Sequence, residues 1–433
     1  MHGMKPKTAF VAVTLALFVL HAPVRTQAPQ NEHWVTTWAT AVVPRASQPP
    51  AAPAPAGQGQ GAPQAAPAVP RFANQTLRQI VHTSLGGDRI RVVLSNTFGT
   101  APLNIGAAGV ARRDRESSLV PGSTRTLTFS SRASVSIAPG AVVVSDPVAL
   151  TMPSQSDLAI DIYLPDDTGS TASPLTVHAG ALQTNYLSAA GNHAGSAMLP
   201  VLSANTSWYF LARVEVGAAA DAGTVVALGD SITDGTRSTP DTNNRWPDHL
   251  SRALAERSLR VGVANMGIGG NRLLADNNGP SAPARFDRDV LAPAGVTHLI
   301  VMEGINDLGR AAPAADVIAA QKQVLERAHA HRLTVIGATI TPVEDTTQQG
   351  YYTPANEAAR QEVNQWIRTG RAYDAVVDFD MLLRDPIRPT KLHLPLASPD
   401  FIHPNEAGYR EMGRAIDPAL FSARAAATAT AAR

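Results

Sequence analysis

The feature that most limits what this chain can fold into is a change of hydrophobic period close to residue 220. Upstream, over about 71–216, apolar residues come in short strand-like runs at 76–83, 89–94, 125–129, 142–144 and 158–164. Turn residues such as Gly86-Gly87 and Pro139-Gly140 separate them. In the second run Ile90, Val92 and Leu94 alternate with Arg89, Arg91 and Val93, the pattern of a strand with one buried face. Many short strands at this spacing predict an antiparallel β-sandwich or jelly-roll-like domain. The β-prone stretch 34–43, with its two tryptophans, is expected to join it as a further strand. Downstream, buried β runs at 224–228, 261–265, 298–302, 334–338 and 376–380 alternate with helix-length stretches at 247–257, 284–290, 314–331, 354–369 and 405–416. In the third of these stretches Val317, Ile318, Gln321, Val324, Leu325 and Ala328 trace one face at helical spacing. Strand and helix in alternation predict an α/β doubly wound parallel sheet, and such sheets bind ligands at the carboxyl ends of their strands.

With 433 residues the chain is long enough for two or three domains. The expected layout is a signal peptide at 1–28, a β-rich domain at 29–218 carrying a Pro/Ala/Gly-rich loop at 44–70, an α/β domain at 219–422, and an Ala-rich tail at 423–433. The signal reading rests on Lys5 and Lys7 ahead of an apolar run at 9–20, followed by Thr26, Gln27 and Ala28. That run is too short to span a bilayer comfortably, and an uncleaved anchor is the alternative. A secreted or periplasmic protein without stable membrane insertion is therefore expected. Hydrophobic residues at 44% and charged residues at 16% exclude a chain disordered throughout and a polytopic membrane protein. A formal charge of +1 encodes no general attraction to nucleic acid, so none is expected as a partner. With no cysteine, thiolate nucleophiles, disulfides, Cys-ligated zinc and iron–sulfur clusters are excluded, and any nucleophile must be oxygen or nitrogen.

Polar residues cluster where a doubly wound sheet would present them. Gly229-Asp230-Ser231-Ile232-Thr233-Asp234-Gly235 follows the first predicted parallel strand and sets a serine at a sharp turn. Asn265-Met266-Gly267-Ile268-Gly269-Gly270-Asn271 follows the second, and Gly304-Ile305-Asn306-Asp307 the third. Asp400-Phe401-Ile402-His403-Pro404 stands just before the last predicted helix. Taken singly, each has a plainer reading: a turn with a helix cap, a flexible loop, or an Asp capping the helix that starts at Pro404 and Asn405. Together they supply the nucleophile, base, orienting acid and oxyanion donors that acyl transfer requires.

In these blocks the sequence resembles the SGNH (GDSL) hydrolase superfamily over about 223–418. Within it the chain most resembles exported bacterial acylesterases with a β-rich N-terminal region, to which 76–99 and 207–211 are also similar. The first block reads Gly-Asp-Ser-Ile in place of Gly-Asp-Ser-Leu, a hydrophobic exchange. The resemblance implies a flavodoxin-like, five-stranded parallel sheet, a nucleophile at Ser231, oxyanion partners at Gly270 and Asn306, and Asp400 and His403 as the rest of a triad. Which glycine of 267–270 faces the oxyanion stays open by one position, and Gly270 is favoured because it lies five residues after Asn265. The implied activity is hydrolysis of short-chain carboxylic esters through an acyl-enzyme, on a small ester or acylated carbohydrate, with no cofactor and no metal. His403 would take the serine proton, Asp400 would orient the imidazole, and the N–H of Ser231 would join the oxyanion donors. The alternatives are a lysophospholipase or lipase-type acylhydrolase, a metal-dependent phosphoesterase built on Asp230, Asp234, Asn306, Asp307 and His403, and a glycan-binding protein.

The neighbouring residues carry further expectations. Asp230 reads as a structural acceptor holding the turn, and Arg237, Asn243, Asn244 and Arg245 as a solvated loop at the entrance. Trp246, Leu250 and Leu254 read as core. The other histidines lack an acid partner at useful spacing, and one of Glu303 or Asp307 should anchor Asn306. Aromatic residues at 5% hold little sign of a sugar-stacking platform, and there is no long apolar lid.

Overall fold

In the later half of the chain five strands pair in parallel: β1 (Gly223–Gly229), β2 (Val261–Gly267), β3 (Val296–Met302), β4 (Thr334–Ala338) and β5 (Ala375–Val377). Their spatial order is β2-β1-β3-β4-β5, the flavodoxin-like order. Every residue of the interior strand β1 is buried, as befits a strand covered on both faces. The chain leaves β1 toward β2 on one side and returns to β3 on the other, which opens a crevice at the carboxyl end of β1.

The computed structural model describes residues 1, 3, 32–46 and 70–422. The expected signal segment, most of the 44–70 loop and the 423–433 tail lie outside the described residues. Helices follow the strands: α1 (Ser231–Asp234), α2 (Trp246–Glu256), α3 (Ile305–Leu308), α4 (Ala314–Ala330), α5 (Pro354–Thr369), α6 (Phe379–Leu383) and α7 (Glu406–Ala415). Local chemistry starts them. The Thr353 hydroxyl accepts from Asn356 N at 3.0 Å, and Asn405 Oδ1 accepts from Gly408 N at 3.0 Å. On α4, Val317, Gln321, Val324, Leu325 and Ala328 are buried, while Ile318 sits at the edge of the stripe and is half-buried.

Three expectations are corrected here. The strand expected at 376–380 ends at Val377, because Asp378 turns its carboxylate to Met381 N at 3.0 Å and caps α6. At 44–45 there is strand and not loop, since Val43–Arg45 pairs with Leu175–Ala179 at a sheet edge, where Pro44 costs no ladder bond. The stretch expected as a helix at 284–290 carries a π-helical turn at Asp287–Leu291.

The β-rich part is antiparallel. One sheet orders Trp34–Ala39, Leu211–Gly217, Gly87–Ser95 and Val148–Met152. A second orders Val201–Asn205, Asn185–Ala190, Gln75–Thr83, Ser156–Leu164, Ala107–Arg112 and Arg125–Leu127. The inward side chains of both, among them Leu77, Val81, Ile90, Val92, Leu94, Ile160, Ile162 and Val214, share one apolar cluster. The Trp34–Ala39 strand also meets the α/β part: Thr36 N donates to Ala294 O at 3.0 Å and to the Thr224 hydroxyl at 3.0 Å. From His33 onward the chain forms one compact unit. Among the described residues no helix is long and apolar enough to cross a membrane.

Candidate active site

Helix α1 begins at the last residue of the β1 turn. Asp230 is its N-cap, accepting from Ile232 N at 2.9 Å, and Gly235 closes it in the left-handed conformation at φ 96°. This single turn places the Ser231 hydroxyl at the mouth of the crevice. His403, reached from the loop before α7, sets its Nε2 2.8 Å from Ser231 Oγ, and its Nδ1 lies 2.9 Å from Asp400 Oδ2. The other Asp400 oxygen accepts from the backbone N–H of Ile402 at 3.2 Å and of His403 at 3.1 Å. An ionised carboxylate only accepts, so Nδ1 carries the proton, and Nε2 of the neutral ring is left to accept from the serine hydroxyl. Burial works to raise the Asp400 carboxyl. The hydrogen bonds from His403 and then from Arg237 overcome it and hold the group well below the usual carboxylate range.

On the other side of the crevice the glycine loop is pressed against α1. A Cβ at Gly267 would collide with the backbone of Thr233 and Asp234, so only glycine fits there. Ile268 N donates to Gly229 O at 3.0 Å, tying the loop to the end of β1. Gly270 is left-handed at φ 74°, and the side-chain amides of Asn277 and Asn278 donate to the carbonyls of Gly270 at 2.9 Å and Gly269 at 2.7 Å. Asn306 opens α3. Its Nδ2 donates to Asn271 O at 2.9 Å and its Oδ1 accepts from the Tyr351 hydroxyl at 2.8 Å. One amide hydrogen of Asn306 is thereby used and the other remains for a ligand.

The structure thus brings Ser231, His403 and Asp400 into one relay, with Asn306 and the Gly267–Gly270 loop on the neighbouring strand ends. It corrects several readings of the surrounding residues. Neither Glu303 nor Asp307 anchors the Asn306 carboxamide, which Asn271 and Tyr351 hold instead. Asp307 accepts from Leu273 N at 2.8 Å and Leu274 N at 3.1 Å, so it holds the glycine-loop strap. Glu303 is fully buried, its carboxyl oxygens have no hydrogen-bond partner, and Arg285 Nη2 is 3.5 Å away. Burial, followed by the charge of Asp230, raises Glu303 well above the carboxylate range, and burial raises Asp230 as well. Arg245 is no solvated loop residue: it is buried, and its guanidinium donates to Ala181 O. Asn243 and Asn244 are half-buried. Four other histidines do meet acids, His82 with Asp157 at 2.7 Å, His178 with Asp234 at 3.1 Å, His329 with Asp374 at 3.0 Å and His393 with Asp385 at 3.4 Å. Folding brings most of these partners together from distant positions. Trp246, Leu250 and Leu254 are fully buried.

Three contributors escape a reading of the sequence. Arg237, 59% exposed, reaches Asp400 Oδ2 at 2.9 Å from the loop beyond α1. Tyr351 orients Asn306 from the loop before α5. Arg285, fully buried, donates to Met266 O at 2.6 Å, to Gly229 O at 3.0 Å and to Asn271 Oδ1 at 2.9 Å, so one guanidinium binds the carboxyl ends of β1 and β2 to the glycine loop. Its spacing to Asp289, four residues on, was the only local signal. Among the described residues no group of three or more His, Asp or Glu side chains could hold a metal ion.

A doubly wound sheet with this crevice is the frame of an SGNH-type hydrolase. Residues 227–411 match the model of the GDSL-like lipase/acylhydrolase family, so this part of the chain is a GDSL-like carboxylic ester hydrolase domain. No curated protein sequence matches the chain. Among solved structures it is similar to a GDSL-like lipase from Bacteroides thetaiotaomicron, at 20% identity and a TM-score of 0.36 over 46% of this chain and 88% of that one. It is similar to a carbohydrate acetylesterase family member from Sinorhizobium meliloti, at 17% identity and 0.36 over 46% and 97%. A psychrotrophic esterase from Pseudoalteromonas gives 17% identity and 0.35 over 45% and 94%.

Proposed function

We propose that the protein is a serine esterase that hydrolyses short-chain carboxylic esters through an acyl-enzyme, with Ser231 as nucleophile, His403 as base and Asp400 as orienting acid. The observation that carries this reading is the unbroken hydrogen-bond relay of 2.8 Å from Ser231 Oγ to His403 Nε2 and 2.9 Å from His403 Nδ1 to Asp400. A serine hydroxyl is a poor nucleophile at neutral pH, so Oγ attacks the ester carbonyl as its proton passes to Nε2. The imidazolium that forms is stabilised by Asp400, and it returns the proton to the leaving alkoxide, releasing the alcohol. Negative charge on the carbonyl oxygen is met by the N–H of Ser231, the N–H of Gly270 and the free amide hydrogen of Asn306. Loss of one such donor slows acyl transfer by about 10²–10³. Water, deprotonated in turn by His403, attacks the acyl carbon and frees Ser231 with the carboxylic acid.

Polar groups border the relay: Arg237 at Asp400, Asn277 and Asn278 on the glycine loop, Tyr351 at Asn306, and Arg310 on Tyr351 at 3.2 Å. Such a rim suits a hydroxyl-bearing alcohol with a small acyl group better than a long hydrocarbon chain, which favours O-acetyl groups on carbohydrate as substrate. The basic then apolar opening at Lys5, Lys7 and 9–20 supports action outside the cytoplasm. The test is Ser231→Ala: hydrolysis of a short-chain aryl ester should fall by roughly 10⁴ or more with the thermal midpoint retained. A variant that keeps its activity refutes the assignment.

A further inference from the structure

His178 lies in the Leu175–Ala179 strand of the β-rich part, yet its ring enters the underside of the nucleophile turn. It is 4% exposed. Its Nδ1 is 2.8 Å from Ala41 O and its Nε2 is 3.1 Å from Asp234 Oδ1. A peptide carbonyl accepts and never donates, and so does an ionised carboxylate. Both ring nitrogens must therefore carry hydrogen, which makes the ring a cation, with the Trp208 indole beside it at 5.6 Å between centroids. Its carboxylate partner ends the helix that Ser231 begins: Asp234 N donates to Asp230 O at 2.9 Å, and Gly235 N to Ser231 O at 3.0 Å. The backbone of the same residue is what Gly267 packs against. The Asp234 side chain is thus a handle on both the nucleophile and the glycine loop, and the hand on it comes from the β-rich part.

We propose that His178, held as a cation between the Ala41 carbonyl and the Asp234 carboxylate, is a positioning residue that fixes the Ser231 turn, so that the β-rich part is a working component of the esterase. This rests on Ser231 being the nucleophile. Other charged and titratable groups pack around the pair: Arg245 and Asp248 at the start of α2, His82 from the Gln75–Thr83 strand across a cavity of about 30 Å³, and Tyr409 from α7, whose hydroxyl donates to Thr236 O at 2.6 Å. Burial acts to lower the His178 imidazole. The charge of Asp234 and its hydrogen bond outweigh that and the opposing charge of Arg245, and the group stands above its ordinary value. The raised value keeps the cation to higher pH than an ordinary imidazole; it is lost as pH rises through that value, and the grip on α1 goes with it.

The test compares wild type, His178→Gln, Asp234→Asn and the double variant on a short-chain aryl ester, with Ser231→Ala alongside. Each single variant should lower kcat about tenfold and leave KM within about twofold, because a small misplacement of the nucleophile slows the step without touching binding. If His178 acts through Asp234, the double variant is no slower than the slower single one. Wild type should lose kcat on the alkaline side along a limb that His178→Gln lacks. Histidine-selective ¹⁵N NMR of the native chain at pH 7.5 should show one buried ring protonated at both nitrogens. That measurement and Asp234→Asn keep the test open even if His178→Gln does not fold. A neutral ring, wild-type kcat in either single variant, or multiplying effects in the double one overturn the proposal. Activity surviving in Ser231→Ala overturns the nucleophile assignment instead.

Discussion

Replacing Arg285 by methionine removes the cation that the active-site loops share, and the structure sets the size of the effect. The guanidinium is fully buried and donates to Met266 O, Gly229 O and Asn271 Oδ1, with Asp289 at 3.0 Å and Glu303 at 3.5 Å. Methionine fills most of the volume but donates nothing, so Met266 O and Asn271 Oδ1 lose this donor at about 1–3 kcal/mol each, while Gly229 O keeps Ile268 N. Asp289 keeps Arg288 at 2.6 Å, which limits the electrostatic part of the loss. Breaking a buried pair by removing one partner costs about 3–5 kcal/mol, and we expect about 4 for Arg285→Met. For a unit of this size a kcal/mol is worth about 1–2 °C, so the thermal midpoint should fall by roughly 5 °C. Asn271 O also holds Asn306, so kcat should fall in the fraction that remains folded. The assay is urea unfolding followed by circular dichroism, with Arg260→Ala as control, since that breaks an exposed pair with Asp221 and should leave the midpoint unmoved. If Arg285→Met lies within about 1 kcal/mol of wild type, the claim that this residue ties the strand ends together is refuted.

Glu303→Gln tests the buried carboxyl beneath the site. Because burial raises Glu303, the folded state holds a proton that the unfolded chain releases above about pH 4.3, so stability declines as pH rises through that window. The thermal midpoint of wild type should drop between pH 5 and pH 8 more steeply than that of the variant, and equal slopes would show Glu303 to be ionised in the fold. Tyr351→Phe removes the hydroxyl that donates to Asn306 Oδ1 at 2.8 Å. A neutral hydrogen bond of about 1 kcal/mol translates to a severalfold loss of kcat, well short of the loss from Asn306→Ala, and steady-state kinetics on the two variants should show that ranking.

The doubly wound half was legible because its signals are local. Val225 to Leu228 form an apolar run of strand length, and Val317, Val324, Leu325 and Ala328 mark one helical face. The same logic failed at 376–380, where an apolar rhythm continues through Phe379 but Asp378 serves better as a cap than as a strand residue. In the site, Ser231, Asn306 and the Asp400-x-x-His403 pair could be named because each sits beside a turn at a predicted strand or helix end. Their supports could not. Arg237 meets Asp400 across 163 positions, Tyr351 meets Asn306 across 45, and His178 meets Asp234 across 56. Nothing in local spacing encodes such pairs; only the order of strands in the sheets brings them together.

Exposure of the purified chain to a serine-directed organophosphonate, followed by peptide mapping by mass spectrometry, tests the central assignment most directly. Attack by an activated Oγ should place one phosphonyl group per chain on Ser231, with activity lost in proportion, and His403→Ala should slow that labelling by orders of magnitude. Full inactivation with the adduct on another residue, or hydrolysis that continues while Ser231 is fully modified, would contradict the account.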